Sequence, residues 1–352
     1  MANNKKTQIC VVTVTYGDRF HLLKEIVDAC FKEGVNKIII IDNNSAENSK
    51  KQLRELEKKE INRLKVIYLS ENKGSAGGYK RGLIEAYKCE DCEYIYLLDD
   101  DNKPVQGAID KLIEFWQRIK LPEEEKRKKV ALLSYREDKE ICKLIKLGKD
   151  YRDWIKRSDY FLGFHMLDIP HKLATKLIKI FNINTNKSGD CFRNELLMPY
   201  APYGGLFFHK SLLDEIGYPN EIFFTYADDH EFTYRIVLRG GKIFLVPDSI
   251  VVDIDKSWNQ DVLGLRNLIP SLLRGNNNYR VYLTVRNRIF FERMYFRKNK
   301  IFLFFNKVLY LTYLGCMALL AKKFGRFKRI LDAIETVSSV EEESTTIISM
   351  CG

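Results

Sequence analysis

Several features that would place a chain in a common class are missing from this 352-residue sequence. The first residues, Met1–Gln8, are polar and lack the apolar stretch of a secretory signal. We therefore expect a cytoplasmic chain whose eight cysteines stay reduced. No GxGxxG or Walker loop is present, and no internal repeat. There is also no RNA- or DNA-binding motif, so nucleic acid is not an expected partner.

Cysteine and histidine are placed too sparsely for a structural zinc site. Cys89 and Cys92 form a CxxC pair, but the sequence has no second CxxC and no HxxxH. A tetrahedral zinc site needs four ligands. We therefore interpret these two cysteines as ordinary thiols.

The longest clean apolar run is too short to cross a bilayer. Val308–Ala321 has about 14 residues, whereas a spanning helix needs about 20, and Asn306 and Lys307 interrupt the wider stretch. Basic clusters at Arg293–Lys300 and Lys322–Arg329 flank it. We expect this region to dock on an anionic membrane surface, at the inner face of the cell membrane, without spanning it. A buried pair of C-terminal helices is the alternative.

The composition is that of a globular protein that attracts anions. Hydrophobic residues make up 45% and charged residues 30%, which excludes disordered and fibrous classes. The net charge of +11 favours nucleotide phosphates or acidic lipid headgroups as partners. Charge alone does not choose between them.

Buried strands alternate with helices in the first hundred residues. Apolar, β-branched runs at Ile9–Thr15, Lys37–Ile41, Leu64–Leu69 and Tyr94–Leu98 are separated by segments of helical periodicity. This alternation predicts an α/β fold with a mostly parallel sheet flanked by helices. In such sheets, ligands bind beyond the carboxyl ends of the strands.

The predicted organisation is one large catalytic domain followed by helices. We expect the domain to cover residues 1–290, with a charged, poorly periodic insertion at about 121–197. A helical membrane-associating or packing region follows at 291–334, and residues 335–352 are expected to be a flexible tail.

Three consecutive acids follow the fourth predicted strand. Asp99, Asp100 and Asp101 repel one another, so the site needs a counter-cation. Hard oxygen ligands suit Mg²⁺ or Mn²⁺, and alternate side chains of an extended segment point the same way. Asp99 and Asp101 are therefore the predicted metal ligands. A solvated acidic loop is the alternative.

A glycine-rich segment, Glu71–Gly78, lies between a predicted strand and a predicted helix. Glycines at a helix start let backbone N–H groups approach an anion. The pattern is weak alone, and a simple turn explains it equally well.

A second acidic cluster begins a later helix. Asp228, Asp229 and Glu231 fall within one turn, which either complements the helix dipole or holds a general base for a sugar hydroxyl. Just upstream, Pro199–Gly205 supplies aromatic rings and open backbone, which suit a sugar.

Together these segments resemble glycosyltransferase family 2 with the GT-A nucleotide-sugar fold, and most closely the bacterial galactofuranosyl- and rhamnosyltransferases. The matching segments, in the expected order, are VVTVTY (11–16), IIIIDNNS (38–45), ENKGSAGG (71–78), YIYLLDDD (94–101), YGG (203–205), DDHEF (228–232) and YLTVRNRIFF (282–291).

The resemblance implies a role for each matching position. Residues expected to bind the nucleotide sugar are Thr15, Tyr16, Asp42, Asn43, Asn72, Gly74, Gly77 and Asp100. Asp99 and Asp101 would hold Mn²⁺ or Mg²⁺ on the diphosphate. Many relatives place a metal-binding His where this chain has Asp253, so Asp253 either ligates the metal or replaces a lost ligand.

The resemblance also assigns the acceptor side. Asp229 would be the catalytic base, Asp228 and Glu231 would orient the acceptor, and Tyr203, Gly204 and Gly205 would line its binding site. The implied reaction is inverting transfer of a sugar to a saccharide or lipid-linked acceptor. The DDxE pattern favours UDP-galactofuranose as donor, with dTDP-rhamnose as the alternative.

Two other classes of function stay open. A nucleotidyltransferase also uses paired acids and a metal, but Thr15–Arg19 fits its glycine-basic signature poorly. A non-catalytic, membrane-associated scaffold would have no need for two acid clusters. Pyrophosphate release would identify the first alternative, and the absence of nucleotide release would identify the second.

Overall fold

The computed structural model describes residues 7–148, 157–169, 196–255, 270–274 and 277–350. The chain divides into two compact units: Met1–Trp154 with Phe192–Gln260, and Ile155–Cys191 with Asp261–Gly352. The predicted catalytic domain, residues 1–290, overlaps both units. Most of the predicted insertion that falls at residues 149–156 and 170–195 lies outside the described residues.

The first unit is an α/β sheet, as predicted. Its strands are β1 Ile9–Thr15, β2 Lys37–Asp42, β3 Leu64–Tyr68, β4 Tyr94–Leu97, β5 Asn102–Pro104, β6 Val130–Tyr135, β7 Leu197–Met198, β8 Leu206–His209 and β9 Lys242–Asp253. Its helices are α1 Phe20–Lys32, α2 Glu47–Lys59, α3 Gly74–Lys88, α4 Ala108–Arg118, α5 Glu123–Lys129, α6 Glu140–Lys146, α7 Leu212–Ile216 and α8 Asp228–Leu238.

The strand order is β3-β2-β1-β4-β8-β6-β9-β5, and β7 pairs with β9. β1, β2, β3 and β4 are parallel to one another where they pair, and β6 is parallel to β9. β8 runs antiparallel to both of its neighbours. The parallel half of the sheet therefore brings the carboxyl ends of β1, β2 and β4 to one edge.

Helices cover both faces of this sheet, which explains the continuous apolar strands. All seven residues of β1 are buried. Val12 and Val14 pack with Tyr79 and Leu83 of α3 on one face, while Val11 packs with α1 on the other. Because side chains alternate along a strand, burial on both faces requires an unbroken apolar run.

β6 corrects the predicted insertion. The segment at about 121–197 was expected to contain loops and helices added between core elements, but Val130–Tyr135 pairs with β8 and β9 inside the sheet. The charged helix α5 precedes it, and its seven residues are all Glu, Lys or Arg. This charge hides the strand from a periodicity analysis.

The second unit is helical where it is described. Its long helices are α9 Asn278–Phe296, α10 Lys300–Leu320 and α11 Phe324–Met350. Their core contains Val281, Val285, Leu314, Ala318 and Ile330. α11 extends through most of the predicted flexible tail, residues 335–352. α10 is long and apolar enough, by length and composition, to cross a membrane.

α10 also corrects the interpretation of its own sequence. Asn306 was taken as an interruption of the apolar run, yet it is fully buried on the inner side of the helix. Its side chain accepts a hydrogen bond from Met166 N at 2.9 Å and donates one to Asp159 O at 2.7 Å. The exposed face of α10 is therefore less interrupted than the sequence suggests.

Gly82 shows how closely α3 packs on the sheet. A Cβ atom at this position would lie 2.5 Å from Cγ1 of Val12 and 3.2 Å from Cγ1 of Ile41. We predict that Gly82→Ala lowers the free energy of unfolding by about 1–3 kcal/mol, measured by urea denaturation. Gly325→Ala is the control, because a Cβ there meets nothing within 4 Å. Equal effects of the two substitutions would contradict this packing.

Candidate active site

Four carboxylates meet at the edge of the sheet where β4 ends. Asp99, Asp100 and Asp101 follow β4 directly, and β5 begins at the next residue. β5 pairs with β9 so that Asn102 lies opposite Asp253. The structure thus brings Asp253 beside the acidic triplet, as the prediction of a shared metal site requires.

Arg19 supplies part of the counter-charge from the loop after β1. Its guanidinium donates to both oxygens of Asp100 at 2.9–3.1 Å, to Asp101 at 2.7 Å and to Asp255 at 2.7 Å. The Arg19 side chain is only 15% exposed. Sequence reasoning did not single out Arg19, although it follows a strand end like the predicted ligands.

Arg136 supplies a second counter-charge and was also missed. It is fully buried just after β6, and its guanidinium grips Asp138 with two hydrogen bonds of 2.9 and 3.1 Å. The same guanidinium lies 3.6 Å from a carboxylate oxygen of Asp99 and 3.6 Å from one of Asp253. Since the prediction placed β6 in an insertion, the polar residues at its end were not considered.

Negative charge still exceeds positive charge at this edge. Burial raises the pKa of Asp101 to about 7, and the charges of Asp99, Asp100 and Asp253 raise it further, against the effect of Arg19. A divalent cation would relieve this repulsion. Asp99 keeps 41% of its side chain exposed and Asp253 keeps 20%, so their oxygens can reach a ligand.

This donor set fits a cation whose coordination is completed by a substrate. Among the residues that the structure describes, no three His, Cys, Asp or Glu side chains come together closely enough to hold a metal by themselves. Mg²⁺ and similar ions commonly take one or two carboxylates and complete their shell with waters and phosphates. Oxygen ligands without His or Cys also suit Mg²⁺ or Mn²⁺.

The residues predicted to hold the nucleoside separate into exposed and buried groups. Tyr16 is 42% exposed at the end of β1, with Arg19 5.4 Å from its ring centre. Thr15 and Asp100 are buried instead, and the Thr15 hydroxyl donates to Asp100 at 2.8 Å. Asp100 therefore ties β4 to β1, and the ring of Tyr16 is the accessible element.

Asp42 and Asn43 are buried at the end of β2. One carboxylate oxygen of Asp42 accepts from Ser45 N at 3.0 Å, while the other, Oδ2, is buried without a hydrogen-bond partner. Asn43 donates to Gly74 O at 2.9 Å and accepts from Lys73 N at 2.8 Å. Asn43 therefore fixes the loop before α3 and does not face solvent.

The glycines of this loop serve packing. Gly74 has φ +69°, and a Cβ there would lie 2.0 Å from the carbonyl oxygen of Phe224. A Cβ on Gly77 would lie 2.5 Å from Cβ of Lys73. Asn72 accepts a hydrogen bond from Gly74 N at 2.8 Å, so this amide, expected to face an anion, is already used. The predicted contact of Asn72, Gly74 and Gly77 with a nucleotide sugar stays a prediction.

The second acidic cluster leaves one carboxylate accessible. Asp228 is buried and accepts from the Ser75 hydroxyl at 2.7 Å. Glu231 is buried and accepts from Arg235 at 3.1 Å. The Asp229 side chain is 23% exposed, and one of its oxygens accepts from His230 N at 2.8 Å. The structure thus gives Asp228 and Glu231 supporting positions and leaves Asp229 able to meet a substrate.

Strained backbone precedes this cluster. Phe224, Tyr226 and Ala227 all have φ between +60° and +68° although none is glycine. Such conformations persist only where the surroundings impose them, and they concentrate at functional sites. Here the Phe224 carbonyl accepts from Ala76 N at 3.0 Å, and Ser75 donates to Thr225 at 3.0 Å. α3 therefore holds the start of α8.

α3 contacts both acid clusters. The Ser75 hydroxyl donates to Asp228, and the Tyr79 hydroxyl donates to Asp99 at 2.8 Å. These two helix residues are four apart, which corresponds to a rise of about 6 Å. The metal-binding acids and the candidate base are therefore attached to adjacent turns of one helix.

The acceptor residues predicted at 203–205 lie inside the protein. Tyr203 is 3% exposed, and its ring centre lies 4.0 Å from that of Tyr79. A Cβ on Gly204 would lie 1.8 Å from Asn102, 2.5 Å from Arg136 and 2.8 Å from Asp99. Gly205 is buried and has φ +100°. These residues make room for the acid cluster, and the structure does not present Tyr203 as an open sugar platform.

An α/β sheet that gathers acids at its strand ends, with a second acid cluster beside them, is the GT-A arrangement of nucleotide-sugar glycosyltransferases. Residues 10–121 match the family described as Glycosyl transferase family 2. The chain therefore carries a glycosyltransferase family 2 domain, which includes β1 and Asp99–Asp101. No curated protein matches the sequence significantly.

Solved structures with similar folds include glycosyltransferases. GalNAc-T7 with UDP, GalNAc and Mn²⁺ is 15% identical, with a TM-score of 0.48 over 71% of this chain and 44% of that one. TarS from S. aureus is 14% identical, with a TM-score of 0.44 over 82% and 44%. The mannosyltransferase PcManGT from Pyrobaculum calidifontis, with GDP-Man and Mn²⁺, is 12% identical, with a TM-score of 0.49 over 97% and 80%. The chain spans less than half the length of the first two.

The burial of Asp228 makes stability depend on pH. Burial, followed by the charge of Asp229, raises the pKa of Asp228 from 3.8 to about 8. The folded chain therefore holds this proton at neutral pH while the unfolded chain does not, so stability from this group falls as the pH rises from about 4 to about 8. Asp228→Asn mimics the protonated group and should flatten this fall, measured by thermal unfolding across that range.

The exposed Asp248 provides the control for this prediction. Asp248→Asn should leave the pH dependence of the melting temperature as in the unmodified protein. An unchanged slope in Asp228→Asn would show that Asp228 is ionised in the folded chain.

Proposed function

We propose that the chain is an inverting hexosyltransferase that transfers galactofuranose from UDP-galactofuranose to a saccharide or lipid-linked acceptor. The pathway we propose is cell-surface polysaccharide synthesis, such as that of O-antigen or capsule. The observation that carries the proposal is the attachment of two acid clusters to adjacent turns of α3, through Ser75 and Tyr79. One cluster suits a cation with a diphosphate, and the other offers an accessible base.

The donor side rests on the edge formed by β1, β4 and β9. Asp99, Asp101 and Asp253 would hold Mn²⁺ or Mg²⁺, which when bound neutralises charge developing on the leaving diphosphate. Arg19 and Arg136 keep these carboxylates in place between substrates. The exposed ring of Tyr16 offers a face for the nucleobase.

The acceptor side rests on Asp229. In the proposed reaction its carboxylate takes the proton of the acceptor hydroxyl while that oxygen attacks the anomeric carbon. The bond to the nucleotide diphosphate breaks in the same displacement, so the anomeric configuration inverts. Asp228 and Glu231, held by Ser75 and Arg235, fix the helix turn that carries Asp229.

The proposed place of action is the cytoplasm, at the inner face of the cell membrane. A lipid-linked acceptor would be presented there. The net charge of +11 favours an anionic surface. The exposed apolar side chains of α10 favour contact with lipid.

Removing the carboxylate of Asp229 tests the assignment of the base. We predict that Asp229→Asn lowers kcat by about 10²–10⁴-fold, because no other accessible acid of the cluster replaces it, while the Kd for UDP changes little. The measurement is steady-state transfer together with calorimetric UDP binding. Asp228→Asn is the matched control, and a larger loss of kcat in this variant would move the assignment to Asp228.

Donor competition tests the sugar and the metal together. With Mn²⁺, we expect transfer from UDP-galactofuranose in preference to dTDP-rhamnose, since a site that hydrogen-bonds one sugar leaves polar groups unpaired with another. Chelation by EDTA should abolish transfer, because the diphosphate would then lack its counter-charge. Transfer of rhamnose alone would replace the donor and keep the mechanism. Full transfer in EDTA, or release of pyrophosphate, would contradict the mechanism itself.

A further inference from the structure

One face of α10 exposes apolar side chains from end to end. Its exposed large residues are Ile301, Phe302, Phe304, Phe305, Val308, Leu309, Tyr313, Leu319 and Leu320. Only 17% of its most apolar window is buried, and the mean hydropathy of that window is 1.5. Contiguous exposed apolar surface of this kind marks a site of contact with another molecule or a membrane.

The opposite face of α10 is fixed to its own unit. Leu314 and Ala318 are fully buried in the helical core. Asn306 is also fully buried, and its amide is held by the backbone of Met166 and Asp159. A helix that crossed a bilayer alone would lose these contacts and expose the amide to hydrocarbon. The contacts therefore favour a helix that lies along a surface.

Positive charge gathers at the first turns of this helix. A cavity of about 160 Å³ is lined by Arg293, Lys300 and Lys307 together with Phe304, which is 60% exposed on the apolar face. Glu292 also lines the cavity, but its carboxylate already accepts from Leu162 N, Gly163 N and Arg288.

The cations of this cavity lie close to one another. Burial lowers the pKa of Lys307, and the positive charge of Arg293 lowers it further. An anion placed between these side chains would relieve their repulsion. Cations at the end of an apolar face match a phospholipid, whose phosphate lies beside its acyl chains.

We propose that α10 lies in the plane of an anionic phospholipid bilayer, with its apolar face among the acyl chains and a lipid phosphate in the cavity at Arg293, Lys300 and Lys307. The occupant is the bilayer rather than a second copy of the chain, because a ring of cations around an apolar face repels its own copy. The proposal rests on the proposed function only in that a lipid-linked acceptor explains the need for docking.

Vesicle flotation of the full chain tests the proposal. Vesicles of phosphatidylcholine with roughly one third phosphatidylglycerol should bind the protein, and pure phosphatidylcholine should bind it much less. Ile301→Gln with Leu320→Gln removes two face residues that are 67% and 80% exposed. We expect this pair to lower the partition coefficient at least about tenfold.

Matched controls separate the face from general effects. Ile61→Gln with Leu147→Gln replaces residues that are 74% and 78% exposed in the first unit, and this pair should bind as the unmodified chain does. Lys300→Glu with Lys307→Glu should lower binding by more than about 25-fold, at roughly fivefold for each charge removed. Lys58→Glu with Lys59→Glu makes the same charge change at exposed positions of α2 and should lower it far less.

Alkaline carbonate distinguishes a helix in the plane from one that spans. The proposal predicts that carbonate releases the bound chain, and retention would overturn the in-plane arrangement. Equal binding by the face variant and its control would overturn the docking surface. So would a dimer, seen by sedimentation without lipid, that disappears in the face variant. Because flotation uses no donor or acceptor, binding without sugar transfer would contradict the proposed function alone.

Discussion

The structure depends on keeping many carboxylates together at one edge of a sheet. Asp99, Asp100, Asp101, Asp138, Asp253 and Asp255 surround the end of β4, and Arg19 and Arg136 link them. Each arginine comes from the segment after a different strand, so the ion pairs also join β1 and β6 to β4 and β9. Since buried like charges repel strongly, the edge holds its shape only with such partners.

Two arginines do not balance these acids, and the remaining negative charge defines what the edge can bind. The pKa of Asp101, raised to about 7, is the direct sign of that excess. A ligand that brings a divalent cation satisfies the edge better than a neutral one. The same helix that receives Asp99 at Tyr79 receives Asp228 at Ser75, so the cation site and the base are positioned by one element.

Much of this arrangement could be predicted from strand ends. Apolar runs followed by polar residues located Asp99, Asp101 and Asp42, and the carboxyl ends of parallel strands do meet at one edge. Arg136 escaped because the charged helix α5 masked β6. The sequence also cannot tell whether a glycine serves a ligand or a close packing contact. Gly74, Gly77 and Gly204 show packing contacts that only the coordinates define.

The outcome for aromatic and polar residues differed for a similar reason. Tyr203 looked like a sugar platform, yet it stacks on Tyr79 in the core. Asn306 looked like a break in an apolar helix, yet it bonds the backbone of its own unit. Type and spacing do not reveal on which side of an element such a residue faces, because one side chain can be satisfied in either place.

The central claim is that the acid edge binds a cation together with a diphosphate and not alone. The most direct measurement is Mn²⁺ binding by calorimetry, with and without saturating UDP. Our account predicts weak binding of Mn²⁺ alone, since Arg19 and Arg136 occupy the carboxylates, and binding at least about tenfold tighter with UDP, a coupling of about 1.4 kcal/mol. Equal Mn²⁺ affinity in both conditions, or UDP binding that ignores Mn²⁺, would contradict it.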